Sequence, residues 1–202
     1  MAHPQRRVPF LGLTGGLAAG KSEALRALGE LGAATLSTDE VAHGLLAGEL
    51  REAVIERLGA DVAPGGTLDR SRVAERIFGD PAARDWLEGA LWPRVGARVA
   101  EWRAGVDAAE APPRAAVVEV PLLFESGMDA VFDHVIAIVA EEAERDRRAR
   151  ARGHTSVADR ESRQLSQEEK AQKADFTVRN DGSLDELKDE LSRVLATLEA
   201  QP

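Results

Sequence analysis

The stretch VPFLGLTGGLAAGKSEALRALGELG, residues Val8 to Gly32, decides how the rest of the chain is read. Short apolar residues lead to the pair Gly15-Gly16, then to Gly20-Lys21-Ser22, and a helical pattern follows. Val8 to Leu13 predicts a short buried strand, and Lys21 to Leu31 a helix with Leu25, Leu28 and Leu31 on one face. Between them, Gly15-x-x-x-x-Gly20-Lys21-Ser22 has the spacing of a phosphate-binding loop, the P-loop. Its glycines let successive N–H groups converge on phosphate oxygens, and the helix N-terminus adds partial positive charge. Gly15, Gly16, Leu17, Ala18, Ala19, Gly20, Lys21 and Ser22 are therefore the candidate triphosphate site. Lys21 is placed to reach the outer phosphates, and the Ser22 hydroxyl to ligate Mg²⁺. The plainer alternative is a glycine-rich turn that holds nothing.

Outward from this stretch, Ala33 to Leu36 is a second strand candidate, Ala115 to Val120 a third and His134 to Val139 a fourth. A last short strand is expected in DFTVRN from Asp175, and an amphipathic helix over Leu184 to Leu198. Asp39 to Trp102 is almost all helical in pattern, with a turn at Pro64-Gly65-Gly66, and Ala109 to Arg114 reads as a linker. Glu141 to Lys173 is charged and helical, broken near Gly153. Strands alternating with helices predict a parallel sheet with right-handed crossovers, an α/β fold. The strand-free stretch from about Leu45 to Val106 is then a helical insertion beside the sheet. In such sheets ligands sit at the carboxyl ends of the strands. That rule gathers Thr14 to Ser22, Ser37 to Asp39 and Glu119 to Glu125 along one edge.

Composition narrows the function. With 26 Lys and Arg against 35 Asp and Glu, the net charge is −9, which weighs against nucleic acid as a partner. There is no cysteine, so disulfides, thiolate metal sites and cysteine nucleophiles are excluded. No apolar run approaches the ~18 residues of a membrane span. Met1 to Arg7 are polar and lack an apolar signal core. A cytoplasmic protein with a short loose N-terminus is expected, its oligomeric state left open.

Three further features bear on chemistry. AAVVEV is an apolar strand ending in Glu119, as in a strand whose acid helps organise Mg²⁺; a solvated strand-end acid is the alternative. Asp39 follows the second strand, where a carboxylate can orient an attacking hydroxyl and take its proton; it can equally cap the next helix. The run ERDRRARARG is basic in an acidic chain. At about 100° per residue, Arg145, Arg148 and Arg152 share one helix face, and Arg147 and Arg150 lie nearly opposite, beside Ala143 and Ala151. One face is expected to be solvated and the other to form a lid whose guanidinium groups meet a transferring phosphoryl group.

Taken together, four stretches resemble the dephospho-coenzyme A kinase family. GLTGGLAAGKS is similar to its opening motif, and LDRSRVAERIFGDPAARDWLEGALWPRV, Leu68 to Val95, to its helical substrate-domain signature. EVPLLFESG from Glu119 resembles its central motif, and RESRQLSQEEKAQKADFTVRNDGS from Arg160 its lid-to-C-terminus motif. The resemblance implies a P-loop kinase-type parallel sheet flanked by helices, with a helical substrate-binding insertion and a lid. It implies a P-loop core over residues 1–44 and 107–202, a lid over about 141–173, and a coenzyme A-binding insertion over 45–106. The implied reaction is phosphorylation of the 3′-hydroxyl of dephospho-coenzyme A by ATP with Mg²⁺, giving coenzyme A and ADP. It also implies Asp39 as catalytic aspartate, Arg147 as the lid arginine that together with Lys21 neutralises the phosphates, and Asn180 in the adenine pocket. Ser22 and Glu119 are then the metal residues, and Trp92, Leu123 and Glu125 the substrate residues. The chain departs from the family pattern in four places. Ala18 and Ala19 replace glycine and serine, Ser37 an aspartate, His43 an arginine, and Trp92 the histidine before Pro93.

Two other functions fit a P-loop. A nucleoside monophosphate kinase, or another small-molecule P-loop kinase, phosphorylates a different acceptor; one acting on a phosphate needs an acceptor-site arginine more than Asp39. A nucleotide-binding regulator binds ATP without acceptor-dependent ADP release.

Overall fold

The computed structural model describes residues 7–151 and 164–200. Phe10–Gly15 is strand β1, and all six of its residues are buried. A strand buried throughout fits the centre of a parallel sheet covered on both faces. Lys21–Glu30 is α1, Ala34–Ser37 β2, Ala116–Glu119 β3, and His134–Val139 β4. Glu142–Ala151 is α6 in chain order, Gln167–Lys173 α7, Phe176–Arg179 β5 and Leu184–Glu199 α8. The sheet runs β2-β3-β1-β4-β5 with every pair parallel. The five expected strands are all present, each within one or two residues of its expected ends. Among the described residues of the lid stretch, α6 and α7 are helical. Residues 152–163, with the expected break near Gly153 and with Arg152, lie outside the described residues, as do Met1 to Arg6 of the expected loose N-terminus.

The sheet core is made by Leu11 and Leu13 of the central strand β1 and Ile136 and Ile138 of its neighbour β4, covered by Leu28 of α1 and by Leu187, Leu191 and Leu195 of α8. Register places Leu13 and Ser37 level with Glu119 on either side of β3. The ends of β1, β2 and β3 therefore come level at the edge from which the P-loop departs.

The described residues divide into two compact units, one up to Ser37 and from Arg103 onward, the other Thr38–Trp102. The divisions fall at Ser37/Thr38 and Trp102/Arg103, where the sequence reading places them at 44/45 and 106/107. Arg103 shows why the later boundary comes early. Its guanidinium donates to the Val8 carbonyl at 2.7 Å and lies 5.0 Å from the Phe10 ring centroid, which ties it to the sheet unit.

The second unit is helical. It holds α2 (Thr38–Ala47), α3 (Arg51–Leu58), α4 (Arg70–Phe78) and most of α5 (Pro81–Asp107). The Pro64–Gly66 turn is a single 3-10 turn. Asp69 caps α4, accepting from Ser71 N–H at 2.9 Å and Arg72 N–H at 3.2 Å. In α5 the residues Ala83, Leu87, Leu91, Val95 and Val99 are buried at a spacing of four, so a single stripe of the helix is packed. The helix runs through Pro93 without interruption.

Candidate active site

The loop between β1 and α1 is built on two glycines that no other residue replaces. Gly15 has φ +152°, and a Cβ there would run into the Ile138 carbonyl. Gly20 is left-handed at φ +98°, and a Cβ there would collide with the Asn180 side-chain amide. The loop closes through Ala19 N–H to the Gly16 carbonyl at 3.3 Å. Ala18 takes φ +58°, the left-handed region, where an alanine costs roughly 1–2 kcal/mol. No other non-glycine among the described residues does so. The Lys21 ammonium donates to the carbonyls of Gly15 at 3.2 Å and Gly16 at 3.0 Å. Lys21 and Ser22 open α1, whose first N–H groups face the loop, so the positive end of a ten-residue helix lies beside a lysine.

Glu119 is buried, and its Oε1 accepts from the Ser22 hydroxyl at 3.4 Å. The solvated alternative for this acid is thereby overturned: β3 ends inside the sheet edge, level with Leu13 and Ser37. A hydroxyl and a carboxylate meeting beside a phosphate loop are hard oxygen donors, the ligand type Mg²⁺ takes from proteins when substrate phosphates and water complete its shell. Among the described residues there is no cluster of three or more His, Asp or Glu side chains to hold a metal by themselves. The residues present fit Mg²⁺ carried in with a nucleotide.

Asp39 lies in the first turn of α2, exposed, one residue inside the helix start at Thr38. It is not the residue before the helix, so the capping alternative does not describe it.

The basic helix α6 turns the opposite way from its sequence expectation. Arg145 and Arg148, on the face opposite the expected lid arginine Arg147, lie against the P-loop. Buried Arg145 donates from Nε to the Leu17 carbonyl at 3.0 Å. Arg148 donates to the Ala19 carbonyl at 3.3 Å and the Asn180 carbonyl at 2.9 Å. Arg147 points outward, its side chain 76% exposed and paired with Glu144 at 2.6 Å. That hydrogen bond holds the Glu144 carboxyl below the usual carboxylate range and raises Arg147 in turn. The misreading has a physical cause. With four arginines in ten residues, hydrophobic periodicity is silent, and the packed side is marked only by Ala149, which is buried while Ala143 and Ala151 are exposed.

Asn180 is buried and donates from Nδ2 to the Ala19 carbonyl at 2.9 Å, so its amide braces the loop. Leu123 is fully buried, its Cδ1 packed onto Gly12 of β1. Glu125 accepts from Leu165 N–H at 2.8 Å and pairs with Lys170 at 3.1 Å. Lys170 is fully buried and donates to the Pro121 carbonyl at 2.8 Å. Sequence reasoning gave Lys170 no role and foresaw no loop contact for Arg145 or Arg148, because each acts on a main-chain carbonyl that no motif advertises. In the helical unit, His43, Leu46, Arg51, Leu68, Val73 and Ile77 are among the residues lining a groove of about 320 Å³, largely apolar with basic groups along it. Trp92 is 43% exposed and does not line that groove.

A five-stranded parallel sheet flanked by helices, with a glycine-rich loop leading into a lysine and serine at a helix start, defines a P-loop kinase. The sequence profile of the dephospho-CoA kinase family matches residues 9–186. Dephospho-CoA kinase of Deinococcus radiodurans is 39% identical over 98% of this chain and 94% of its own length. A crystal structure from Thermus thermophilus, TT1252, superposes with a TM-score of 0.80 at 34% identity, covering 96% of this chain and 99% of the other. Dephospho-CoA kinase from Campylobacter jejuni does so with a TM-score of 0.67 at 29% identity, over 94% and 96% of the two chains. The chain belongs to the dephospho-CoA kinase family, the kinases that perform the last step of coenzyme A biosynthesis.

Proposed function

We propose that the edge formed by the P-loop, Ser22 and Glu119 binds Mg·ATP, and that the chain transfers the γ-phosphoryl group to the 3′-hydroxyl of dephospho-coenzyme A. The observation that carries this reading is the meeting of the Ser22 hydroxyl with buried Glu119 beside the loop that Lys21 enters. The loop N–H groups and the start of α1 hold the phosphates. Lys21 exchanges the Gly15 and Gly16 carbonyls for phosphate oxygens. Ser22 and Glu119 are the residues that would hold Mg²⁺, which when bound neutralises phosphate charge. Phosphoryl transfer has a loose transition state in most analyses, so positioning and charge stabilisation do most of the work asked of the protein.

Asp39, two residues beyond the end of β2, is assigned the late removal of the hydroxyl proton. The helical unit is assigned the acceptor. Its groove suits a ligand with an apolar arm and phosphate charge, since His43 and Arg51 line it together with Leu46 and Ile77. Trp92 is assigned to the acceptor on the family position it occupies. Leu123 and Glu125 serve the acceptor by shaping the segment after β3. The cytoplasm, where ATP is abundant, is the assigned location; among the described residues no helix is long and apolar enough to cross a membrane.

The deciding assay measures ADP formation from ATP with dephospho-coenzyme A, with AMP, or with no acceptor. ADP release only with dephospho-coenzyme A is expected. Equal release with AMP would sink the acceptor assignment. Arg147 is assigned to the transferring phosphoryl group, which requires it to leave Glu144. Arg147→Ala should then lower kcat with little change in the KM for ATP; an unchanged kcat removes Arg147 from the site.

A further inference from the structure

A P-loop works only if its N–H groups face inward, and a peptide plane can turn either way unless something holds its carbonyl. In a trans peptide the C=O and the following N–H point in opposite directions. Holding the Leu17 carbonyl outward therefore aims the Ala18 N–H inward, and holding the Ala19 carbonyl outward aims the Gly20 N–H inward. In this chain both carbonyls are held from outside the loop. Leu17 O accepts from Arg145 Nε at 3.0 Å; Ala19 O accepts from Asn180 Nδ2 at 2.9 Å and Arg148 Nη1 at 3.3 Å. The braces are themselves fixed. Arg145 is buried, Arg148 also reaches the Asn180 carbonyl at 2.9 Å, and Glu144 pairs with Arg148 at 2.7 Å. The need for bracing is local: Ala18, between the two held peptides, sits in the left-handed region that disfavours a side chain.

We propose that Arg145 and Arg148 of α6, together with Asn180, are positioning residues of the phosphate loop, setting two of its peptides for phosphate by gripping their carbonyls from behind. The proposal rests on the reading of this loop as the ATP site. It makes α6 part of the nucleotide site through its inward face. A guanidinium is suited to this because it stays charged and presents several donors in a fixed plane.

The test compares Arg148→Ala, Arg148→Lys, Arg145→Lys and Lys21→Ala with wild type, and uses Arg193→Ala, an exposed arginine on α8, as control. Three quantities are read: ADP affinity by titration calorimetry, the separate KM values for ATP and acceptor with kcat, and the melting temperature without nucleotide. Arg148→Ala is expected to weaken ADP binding and raise the KM for ATP roughly tenfold, the scale of one lost charge-assisted hydrogen bond. The acceptor KM and nucleotide-free melting temperature should stay near wild type. Arg148→Lys should recover part of the loss. Arg145→Lys, which keeps the charge in a buried site and avoids an empty cavity, should show the same split.

Unchanged ADP affinity in Arg148→Ala, or a loss confined to kcat, overturns the bracing role. So does a fall in melting temperature with nucleotide affinity intact. Lys21→Ala separates the two levels of the argument: if it also leaves ADP binding intact, the loop is not the ATP site at all. If it abolishes binding while Arg148→Ala is silent, the ATP site stands and only the bracing fails.

Discussion

Asp39 and Lys170 illustrate how far a single charged side chain is determined by its surroundings. Asp39 is exposed in the first turn of α2, where its charge is favourable to the helix dipole. Removing the charge while keeping the shape is thus a mild change to the helix and a severe one to a general base. Asp39→Asn is expected to keep ATP binding while turnover falls by roughly 10²-fold or more. Activity near wild type in a single-turnover assay would return Asp39 to a purely helical role. Lys170 is the reverse case, a charge with no access to water. Its ammonium is satisfied by the Pro121 carbonyl and Glu125, and the same carboxylate oxygen takes the Leu165 N–H. Glu125 Oε2 is buried and has no hydrogen-bond partner among the described residues. Removing one member of such a pair strands the other, at a cost of about 3–5 kcal/mol. Lys170→Met should lower the unfolding free energy by that order in urea melts. The double variant Lys170→Met with Glu125→Leu should regain much of it. If the double variant is no more stable than the single one, the pair is not what holds the segment after β3 to α7.

At the level of elements, α8 offers the sharpest electrostatic test. It opens with a capping box in which Ser183 N–H and hydroxyl donate to Glu186 Oε2 at 2.7 and 3.0 Å, and Glu186 N–H donates back at 3.3 Å. The Ser183 N–H, and then its hydroxyl, hold the Glu186 carboxyl below its ordinary value of 4.5. A carboxyl depressed in the folded state contributes stability that is present above the unfolded pKa and lost as pH falls through the folded one. The melting-temperature gap between wild type and Glu186→Gln should therefore be open at pH 7 and close as pH drops below about 4. A gap that widens on acidification contradicts the assignment. The same helix was legible in sequence from Leu187, Leu191, Val194 and Leu198, because one side faces a core and the other faces water. The buried strands β1, β3 and β4 were legible as apolar runs between turn residues, and the P-loop from its glycine spacing. The inward face of α6 was not, since its buried members are Arg145 and Ala149 and its contacts end on carbonyls. The boundary of the helical unit was legible only to a few residues. It is set by where Arg103 meets Val8 and Phe10, a pairing of chain segments 95 positions apart in sequence.

For the molecule as a whole, the distribution of tryptophan gives a built-in reporter. Trp86, Trp92 and Trp102 are the only tryptophans, and all three lie in the Thr38–Trp102 unit, with none in the unit that carries the P-loop. Intrinsic emission therefore reads one unit alone. Within α5 the packed stripe is Ala83, Leu87, Leu91, Val95 and Val99, and Trp92 is one residue off it, 43% exposed. Packing against Leu87 and Val95, the plainer expectation for a large aromatic, does not account for an indole left this open. Exposed indoles shift their emission when a ligand covers them, and their flat faces suit an apolar or aromatic partner. Dephospho-coenzyme A is expected to change the emission more than ATP does, and Trp92→Phe to remove most of that change. Because the indole is not part of the buried stripe, Trp92→His should fold with a melting temperature close to wild type and remain active, with the difference appearing in the acceptor KM. If dephospho-coenzyme A is phosphorylated while leaving the emission untouched, Trp92 does not border the acceptor, and the groove lined by His43, Leu46 and Ile77 takes it without help from α5 at that turn. If Trp92→His unfolds the chain, the exposed indole holds the helical unit together, and its departure from the family histidine is a matter of stability rather than of substrate.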